Sequence, residues 1–530
     1  MQSLSAQEPM GTVWVRYGDG SSKSFRPVAE SRASRGDALA AAAASLNDVA
    51  SPGFPGPEVF LDGNCDYEAA NLSFADDGVQ IHGRNARVYR KPGVSYNEIV
   101  RVEGSQSLVE NLNIDGGYTT QGDTGTDNTG FGRGLVVNNG TGITVRSVQV
   151  SNTRGVTVGT TANGSANGIE VGIAAHDTSL KDIAVVNAGY AGVRNGGYRT
   201  TMDGFLLLNN MSRGWSADNT QAVDDDFFIM KNGRGIVNVP VANELTGAGP
   251  GGNFNKKNGV IKHVVMENVH LYQDPNLFGA GNSFNTNAGM NTAKFENIDK
   301  LEVDNCTFIH GDNAYGGSAF VTSIRFEPTG QMNHASFRNT YFSSGIAWGG
   351  TQWPFMEFEN CDIGADFCTV NSLIFTFHCN HASFRSTRFR NIPRYCFTVS
   401  GSRAADDFLE FSGCQFYGAQ ADSTVLSSNI ALSPGRTIFG EDNLFSSCRR
   451  ADTADLRLLT TTQARNWETL LFRESLMGTD HPTPGLGPYF PSLPGKEGMR
   501  IINQEYSPDA TTLVPEREWV YRSGAWKEVA

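Results

Sequence analysis

The 530-residue chain has no run of eighteen apolar residues, no CxxC pair, no clustered Lys and Arg, and no amphipathic repeat of helical period. Each absence removes a class. Without a long apolar run no membrane-spanning helix is expected. Without a CxxC pair a zinc site is not expected. A formal net charge of −13, with only 18% charged residues, argues against nucleic acid as a partner, because phosphate binding needs concentrated positive charge. Met1 to Met10 shows no basic stretch followed by an apolar one, so no secretory signal is expected. Solenoids built from helices need a 3.6-residue pattern that this chain does not show.

What the chain does have is sixty glycines and a six-residue phrase used ten times. The phrase reads apolar, any, small or turn-forming, apolar or small, any, apolar. Its copies begin at Val109, Val145, Leu180, Met202, Met266, Val303, Phe337, Phe358, Phe384 and Phe411. The intervals are 36, 35, 22, 64, 37, 34, 21, 26 and 27 residues, and the 64 conceals a degenerate copy near Phe227 to Met230. Periods of this length belong to repeat architectures. The third positions are Asn111, Ser147, Asp182, Gly204, Asn268, Asn305, Asn339, Asn360, Ser386 and Gly413. These residue types tolerate the left-handed conformation of a tight corner. Each phrase is therefore read as two short strands joined by a corner, one coil of a parallel stack with rungs about 4.8 Å apart. Like residues then lie above like, and Phe337, Phe358, Phe384 and Phe411 form one interior column.

Of the eight cysteines, Cys306, Cys361 and Cys414 share the fourth position, with Thr340 and Thr387 on the rungs between. Two rungs is beyond disulfide reach, so they are read as small apolar fillers.

The corner residues resemble the asparagine ladder of the right-handed parallel β-helix in the pectate-lyase-like superfamily. A helix from Asp37 to Val49, with Asp37 as its N-cap, then Glu58 to Gly63 and Val79 to Gly83 resemble the capping helix and first turn of that family. The similarity runs from about Asp37 to Cys448. The integrin reading of Arg35-Gly36-Asp37 is weaker than the N-cap reading. Three regions are expected: residues 1–55 as an N-terminal adaptor with the capping helix, 56–450 as an all-β parallel β-helix, and 451–530 as a C-terminal region ending in a small β module. Within that last region Leu456 to Leu476 reads as helical. Arg500 to Asn503 and Trp519 to Lys527 read as strands and resemble terminal modules of phage tail proteins. Together these features resemble a phage tailspike. The resemblance implies a homotrimer located in the virion tail. It also implies a host surface polysaccharide, capsule or lipopolysaccharide, as partner, with other tail or baseplate proteins bound through the N-terminus.

Long insertions at Gly116 to Arg133, Ser151 to Asn167, Asn209 to Gly259, Tyr272 to Ala293 and His310 to Gly317 mostly follow the sixth phrase position and so build up one side. Further strands follow them, such as Val321 to Glu327, Leu373 to Cys379 and Cys396 to Val399. If Ile324 and Phe326 point inward, Arg325 and Glu327 face outward, and His378 does likewise beside Phe377. Glu327, Asp312 and Asp366 are the candidate catalytic carboxylates, and Trp348, Trp353, Arg325 and His378 the candidate substrate-binding residues. Two rungs place Asp312 and Asp366 on the order of 9 to 10 Å apart, close to the separation of inverting glycosidases. Asp before a loop Asn or Gly is also ordinary turn chemistry, and Glu327 could simply pair with Arg325. Asp304, Arg338, Glu359 and Arg385 read as a surface charge ladder, with Asp362 and Arg388 repeating it. Asp224-Asp225-Asp226 on extended chain cannot converge on one calcium ion. No metal or cofactor is expected. The expected activity is an endoglycosidase, with adhesion alone and polysaccharide lyase activity left as alternatives.

Overall fold

The computed structural model describes residues 8–47, 56–92, 98–117, 132–153, 166–210, 213–217, 223–238, 249–255, 261–274, 291–309, 322–326, 332–348, 355–364, 375–376, 381–392, 395–398, 407–419, 423–426, 436–439, 443–446, 449–451, 471–472, 500–503, 506–509, 512–514 and 517–529. They fall into two compact units. Unit 1 holds the described residues up to 274 and unit 2 those from 291 onward.

Unit 1 opens with a hairpin of Val13–Arg16 and Ser22–Phe25. Its turn uses Gly20 at φ +84°, with Asp19 Oδ1 accepting from the Ser21 amide at 2.8 Å. The first strand also pairs antiparallel with Glu58–Phe60, which carries the hairpin onto the first coil. One helix follows the hairpin, Arg32–Asn47. It begins five residues before the expected start, so Asp37 is not its N-cap. Ser31 fills that role, its Oγ accepting from the Ser34 amide at 3.1 Å, while Asp37 sits inside the helix and accepts from Lys91 Nζ at 3.1 Å. Serine caps a helix as well as aspartate does. Ala38, Leu39, Ala42, Ala43 and Leu46 form the buried stripe, spaced as an amphipathic face, against Asp66–Ala69 and Leu72–Phe74. Gly36 sits so close to that floor that a Cβ there would lie 1.8 Å from the Glu68 carbonyl oxygen. Arg35 Nε donates to the Asp66 carbonyl at 2.6 Å. The Arg-Gly-Asp triplet is therefore helical and packed, inside the helix and not at its start as the N-cap reading expected.

The coils of unit 1 have a bent wall and a loop wall. In the bent wall, parallel pairing stacks Val59, Ile81, Val109, Val145, Leu180, Met202, Met230 and Met266 in one interior column, each buried. The corners are left-handed: φ is +53° at Asn111, +53° at Ser147, +50° at Asp182, +68° at Gly204, +52° at Asn232 and +54° at Asn268. Amide side chains link successive corners, Asn268 Nδ2 donating to Asn232 Oδ1 at 2.9 Å and Asn232 Nδ2 to Asp203 Oδ1 at 2.8 Å. The degenerate copy is headed by Met230, on the strand Phe227–Val237. Its fourth position is Gly233, where a Cβ would come 2.0 Å from Phe205 Cε1. The phenyl ring of one rung occupies the space that the next rung's side chain would need. The loop wall stacks Leu72–Phe74, Glu98–Val102, Arg133–Thr141, Ile169–His176, Ala191–Asn195, Arg213–Ala217 and Gly249–Asn255 in parallel.

Unit 2 repeats this plan with a different filling. Val303, Phe337, Phe358, Phe384, Phe411 and Phe439 are in register. The rings of Phe337 and Phe358, Phe358 and Phe384, and Phe384 and Phe411 stack at 4.8, 4.7 and 5.1 Å, the rung spacing of a parallel sheet. Corners Asn305, Asn339, Asn360, Ser386 and Gly413 all have positive φ, and Asn360 Nδ2 donates to Asn339 Oδ1 at 2.7 Å. Cys306, Cys361 and Cys414 are buried free thiols, as expected. Desolvation pushes Cys361 and Cys414 up to about 12. Leu471–Phe472 is a strand paired with Leu444–Phe445, so the helix expected over Leu456 to Leu476 does not include these two residues. Their apolar pair continues the coil instead, and the rest of that segment lies outside the described residues. Arg500–Asn503 pairs with Arg517–Arg522, which forms a hairpin with Ala525–Val529. Ser523 at φ +55° and Gly524 at +79° give that hairpin its tight turn. Both units are thus parallel β-helical stacks.

Candidate functional site

In unit 1, chain at the expected insertions leads directly into the loop wall, and there charge accumulates. Arg101, Glu170 and Arg194 each lie between buried residues: Val100 and Val102, Ile169 and Val171, Val193 and Asn195. Strand alternation turns them away from the interior. Register places Arg101 and Glu170 on either side of Val136 and sets Arg194 beyond Glu170. Glu98 and Arg133 are register partners at the starts of their strands.

These side chains form one alternating chain. Glu103 Oε1 accepts from Arg101 Nη1 at 3.1 Å and from Asn138 Nδ2 at 3.0 Å. Arg101 Nη2 reaches Glu98 Oε1 at 2.7 Å. Arg133 lies between two carboxylates, 3.8 Å from Glu98 Oε2 and 2.9 Å from Glu170 Oε2. Asn167 Nδ2 donates to Glu170 Oε2 at 2.7 Å, and Arg194 Nη1 closes the chain 3.9 Å away. Hydrogen bonding to Glu98 pushes the Arg101 guanidinium further above its ordinary value. The carboxylates are recessed, with the Glu98 side chain 7% exposed and that of Glu170 14%. Val136, between Arg101 and Glu170, is 1% exposed. Among the described residues Glu98 Oε2 is buried with no hydrogen-bond partner. Three carboxylates facing three guanidiniums at close range offer a ligand both acceptors and forked donors, the chemistry that reads vicinal hydroxyls and carboxylates.

A second cluster lies at the far ends of the same strands. Thr141 and His176 are register partners, and His176 forms a bridge to Tyr198. Thr141 Oγ1 lies 2.7 Å from His176 Nε2, and His176 Nδ1 lies 3.0 Å from Asp177 Oδ2. Arg199 grips Asp177 through both carboxylate oxygens, at 2.7 and 2.8 Å, and reaches Asp225 at 2.8 Å. Arg199 hydrogen bonding is the main cause that holds the Asp177 carboxyl at about 2. The acidic run divides its work: Asp225 pairs with Arg199, Asp226 accepts from the Arg199 amide at 3.0 Å, and Asp224 is exposed. Among the described residues no group of three metal-ligating side chains forms.

Of the residues selected from sequence, Glu327, Asp312, Asp366, Trp353 and His378 lie outside the described residues. Arg325 and Trp348 lie on described strands. Arg325 pairs with Lys294 and Ala347, and Trp348 with Phe326. Ile324 and Phe326 are buried, as alternation required. The charge ladder is in register through Asp304, Arg338, Glu359 and Arg385. Its Arg338–Glu359 pair is 3.7 Å apart with both side chains more than half exposed, so it contributes at most about 1 kcal/mol. Sequence reasoning missed the unit 1 chain of charges, although the signal was present. The rule that picked out Arg325 between Ile324 and Phe326 equally selects Arg101, Glu170 and Arg194.

No family model and no curated protein matches the chain. Among solved structures it is similar to the A-module of the mannuronan C-5 epimerase AlgE6 of Azotobacter vinelandii, at 13% identity and a TM-score of 0.39 over 81% of this chain and 98% of that one. It is also similar to pectate lyase Pel9A, at 15% identity and a TM-score of 0.31 over 66% and 72%. A third similarity is to the Dettilon tailspike protein, at 11% identity and a TM-score of 0.29 over 73% and 61%. The class to which the chain is assigned, the parallel β-helix, rests on the rung register of its own two units.

Proposed function

We propose that the protein binds a host cell-surface polysaccharide and cleaves it as an endoglycosidase, in the role of a phage tailspike acting from the virion tail as a homotrimer. The observation that carries the reading is the recessed Glu98–Arg133–Glu170 chain on the loop wall of unit 1, at the ends of two long insertions. A glycan needs a wall of convergent acceptors and forked donors, and this wall has both. Cleavage needs a proton donor and a base or nucleophile, and Glu327, Asp312 and Asp366 remain the proposed carboxylates for it.

One observation favours adhesion without cleavage on the unit 1 wall itself. Glu98 and Glu170 are each paired with arginine, a fixed set of acceptors and forked donors that suits hydrogen bonding to a bound glycan. The test is to incubate the protein with capsule or lipopolysaccharide of its host and assay new reducing ends. The reading expects fragments from the native protein and none from Glu327→Gln combined with Asp366→Asn. It also expects Arg133→Ala to weaken glycan binding about 10- to 100-fold, the loss of one charge-assisted hydrogen bond. Binding without fragments selects adhesion alone. Unsaturated products absorbing in the ultraviolet select a lyase.

A further inference from the structure

The far-end cluster of unit 1 has an order of atoms that a surface ion-pair network does not require. Thr141 Oγ1, His176 Nε2, His176 Nδ1 and Asp177 Oδ2 follow one another at hydrogen-bond distance, 2.7 Å and 3.0 Å on the two sides of the ring. This is the sequence hydroxyl, imidazole, carboxylate that activates an oxygen nucleophile. We propose that Thr141, His176 and Asp177 form a nucleophilic relay that removes small O-acyl groups, such as acetyl esters, from a carbohydrate.

Backbone geometry supports the assignment. Thr141 closes its strand between Gly140 at φ +100° and Gly142 at φ +72°, so two left-handed glycines frame the hydroxyl in a sharp bend. A Cβ built at Gly142 would meet only Gln106 Cγ, at 3.8 Å, which leaves room beside Thr141 for an ester carbonyl. The imidazole is held on one face and at Nδ1. Tyr198 stacks on it at 4.8 Å with the planes 15° apart, Asp177 faces Nδ1, and Arg199 Nη2 stands 3.2 Å from the same nitrogen. Arg199 in turn lies over the Tyr198 ring at 5.0 Å. Arg199 is a positioning residue, since it fixes the Asp177 carboxylate through two oxygens and touches Thr141 nowhere in the relay.

The tautomer decides the chemistry. A proton on Nδ1 points to Asp177 Oδ2 and leaves Nε2 free to accept the Thr141 proton, with the Arg199 guanidinium then donating to Asp177 and not to that nitrogen. The opposite tautomer accepts from Arg199 Nη2 at Nδ1, donates from Nε2 to Thr141 and provides no base. In the reactive form Thr141 Oγ1 attacks the ester carbonyl as its proton passes to Nε2. The tetrahedral intermediate expels the sugar oxygen, which takes that proton from Nε2 and leaves the acyl group on Thr141. Water then attacks the acyl-threonine, giving its proton to Nε2. Collapse releases the carboxylic acid and returns the proton to Thr141.

The test uses the full-length protein with p-nitrophenyl acetate, with an O-acetylated polysaccharide, and with a fluorophosphonate probe followed by peptide mass spectrometry. The expected results are acetate release, a phosphonyl adduct on the peptide carrying Thr141, and an imidazole nitrogen-15 spectrum showing the proton on Nδ1. Thr141→Val and His176→Gln should lower release about 100-fold or more, while Thr141→Ser retains it. Arg199→Lys should alter the pH profile rather than abolish release. The proposal is overturned if the native protein takes no adduct at Thr141, or if folded Thr141→Val releases acetate at the native rate. Reducing ends assayed in the same samples keep the two activities apart, because ester cleavage frees an acid and no reducing end.

Discussion

The two units build the same coil around opposite fillings. The leading column of unit 1 is Val, Ile, Leu and Met from Val59 to Met266, whereas that of unit 2 passes from Val303 into Phe337, Phe358, Phe384, Phe411 and Phe439. Corners are indifferent to this change, with φ at Asn111 and Asn360 differing by one degree, +53° against +52°. The backbone thus depends on the left-handed corner and the ladder. The interior decides how sharply the register is fixed. Planar rings stacked near 4.8 Å gain about 0.5–1.5 kcal/mol per pair beyond area burial and match only one rung spacing. Aliphatic columns match no single rung spacing, and unit 1, which has one, carries the recessed Glu98–Arg133–Glu170 chain on its loop wall.

The sharpest test of that contrast is Phe384→Ala. Phe384 stacks on Phe358 and Phe411 and meets Phe389 and Phe397 edge-on at 5.5 and 5.4 Å. Truncation opens a cavity in a column of stacked rings, at a cost of about 3–5 kcal/mol. Hydrogen exchange should accelerate in unit 2 peptides and leave those of unit 1 near native rates. Equal acceleration in both units would break the comparison. Next in size is overfilling in unit 1. Gly233→Val drives a side chain into the Phe205 ring, costing about 1–3 kcal/mol, and adding Phe205→Ala should recover most of it. If the single variant melts like the native protein, the exchange of volume between these rungs is not real.

The same contrast explains what could be read in advance. Regular phrases in unit 2, with Phe at one position and Asn at another, disclosed the coil, the ring column, the corner conformation and the thiol column from spacing alone. Unit 1 partly hid one coil because Gly235 stands at the sixth position of the copy headed by Met230, opposite Leu207, where the phrase asks for an apolar side chain, while Gly233 at the fourth yields its space to Phe205. The candidate site was harder for a further physical reason. Glu98, Arg133 and Glu170 are far apart in sequence, on strands of unequal length separated by insertions. Only the register of the loop wall brings them within 4 Å of one another's partners. Asp177 and Arg199 likewise meet through a corner at Arg199, φ +54°, at a residue type that does not announce a left-handed turn.

Corner amides come next. Asn339→Ala removes both ladder bonds, to Asp304 and from Asn360, and leaves a Cβ residue at φ +48°, for about 1–3 kcal/mol in all. Asn339→Gly keeps the conformation and loses only the bonds, so it should fall between native and Ala in a urea melt. If Gly proves as damaging as Ala, the amide ladder dominates over backbone strain. A smaller effect follows from Asp177 in unit 1. Its carboxyl is held at about 2, chiefly by Arg199. A depressed carboxyl stabilises the fold above its ordinary value near 4, and that contribution is lost as pH falls toward 2. Exchange in unit 1 peptides around Tyr198 should therefore rise between pH 4 and 2, and Asp177→Asn should flatten the change.

The smallest effect concerns the thiols, and it again divides the units. Burial pushes Cys361 and Cys414 of unit 2 up to about 12, whereas Cys65 of unit 1 rises to about 11, with Asp62 contributing beside burial. A thiol whose folded value is raised favours the fold below its ordinary value near 8.5, and that advantage shrinks as pH climbs toward the folded value. Thiolate is the reactive species. At pH 8 iodoacetamide should therefore spare all three in the native protein and label all three after unfolding. As pH is raised, Cys65 should be modified before Cys361 and Cys414. Burial in the aromatic-filled coil is the cause: the Cys361 and Cys414 thiols donate to backbone carbonyls, Phe337 at 3.4 Å and Glu359 at 3.5 Å for the first, Phe384 at 3.3 Å and Ser412 at 3.5 Å for the second. Phe384→Ala should consequently bring Cys414 forward in the labelling order while leaving Cys65 unchanged, so that reactivity follows the filling of the coil and not the distance of each thiol from the chain ends.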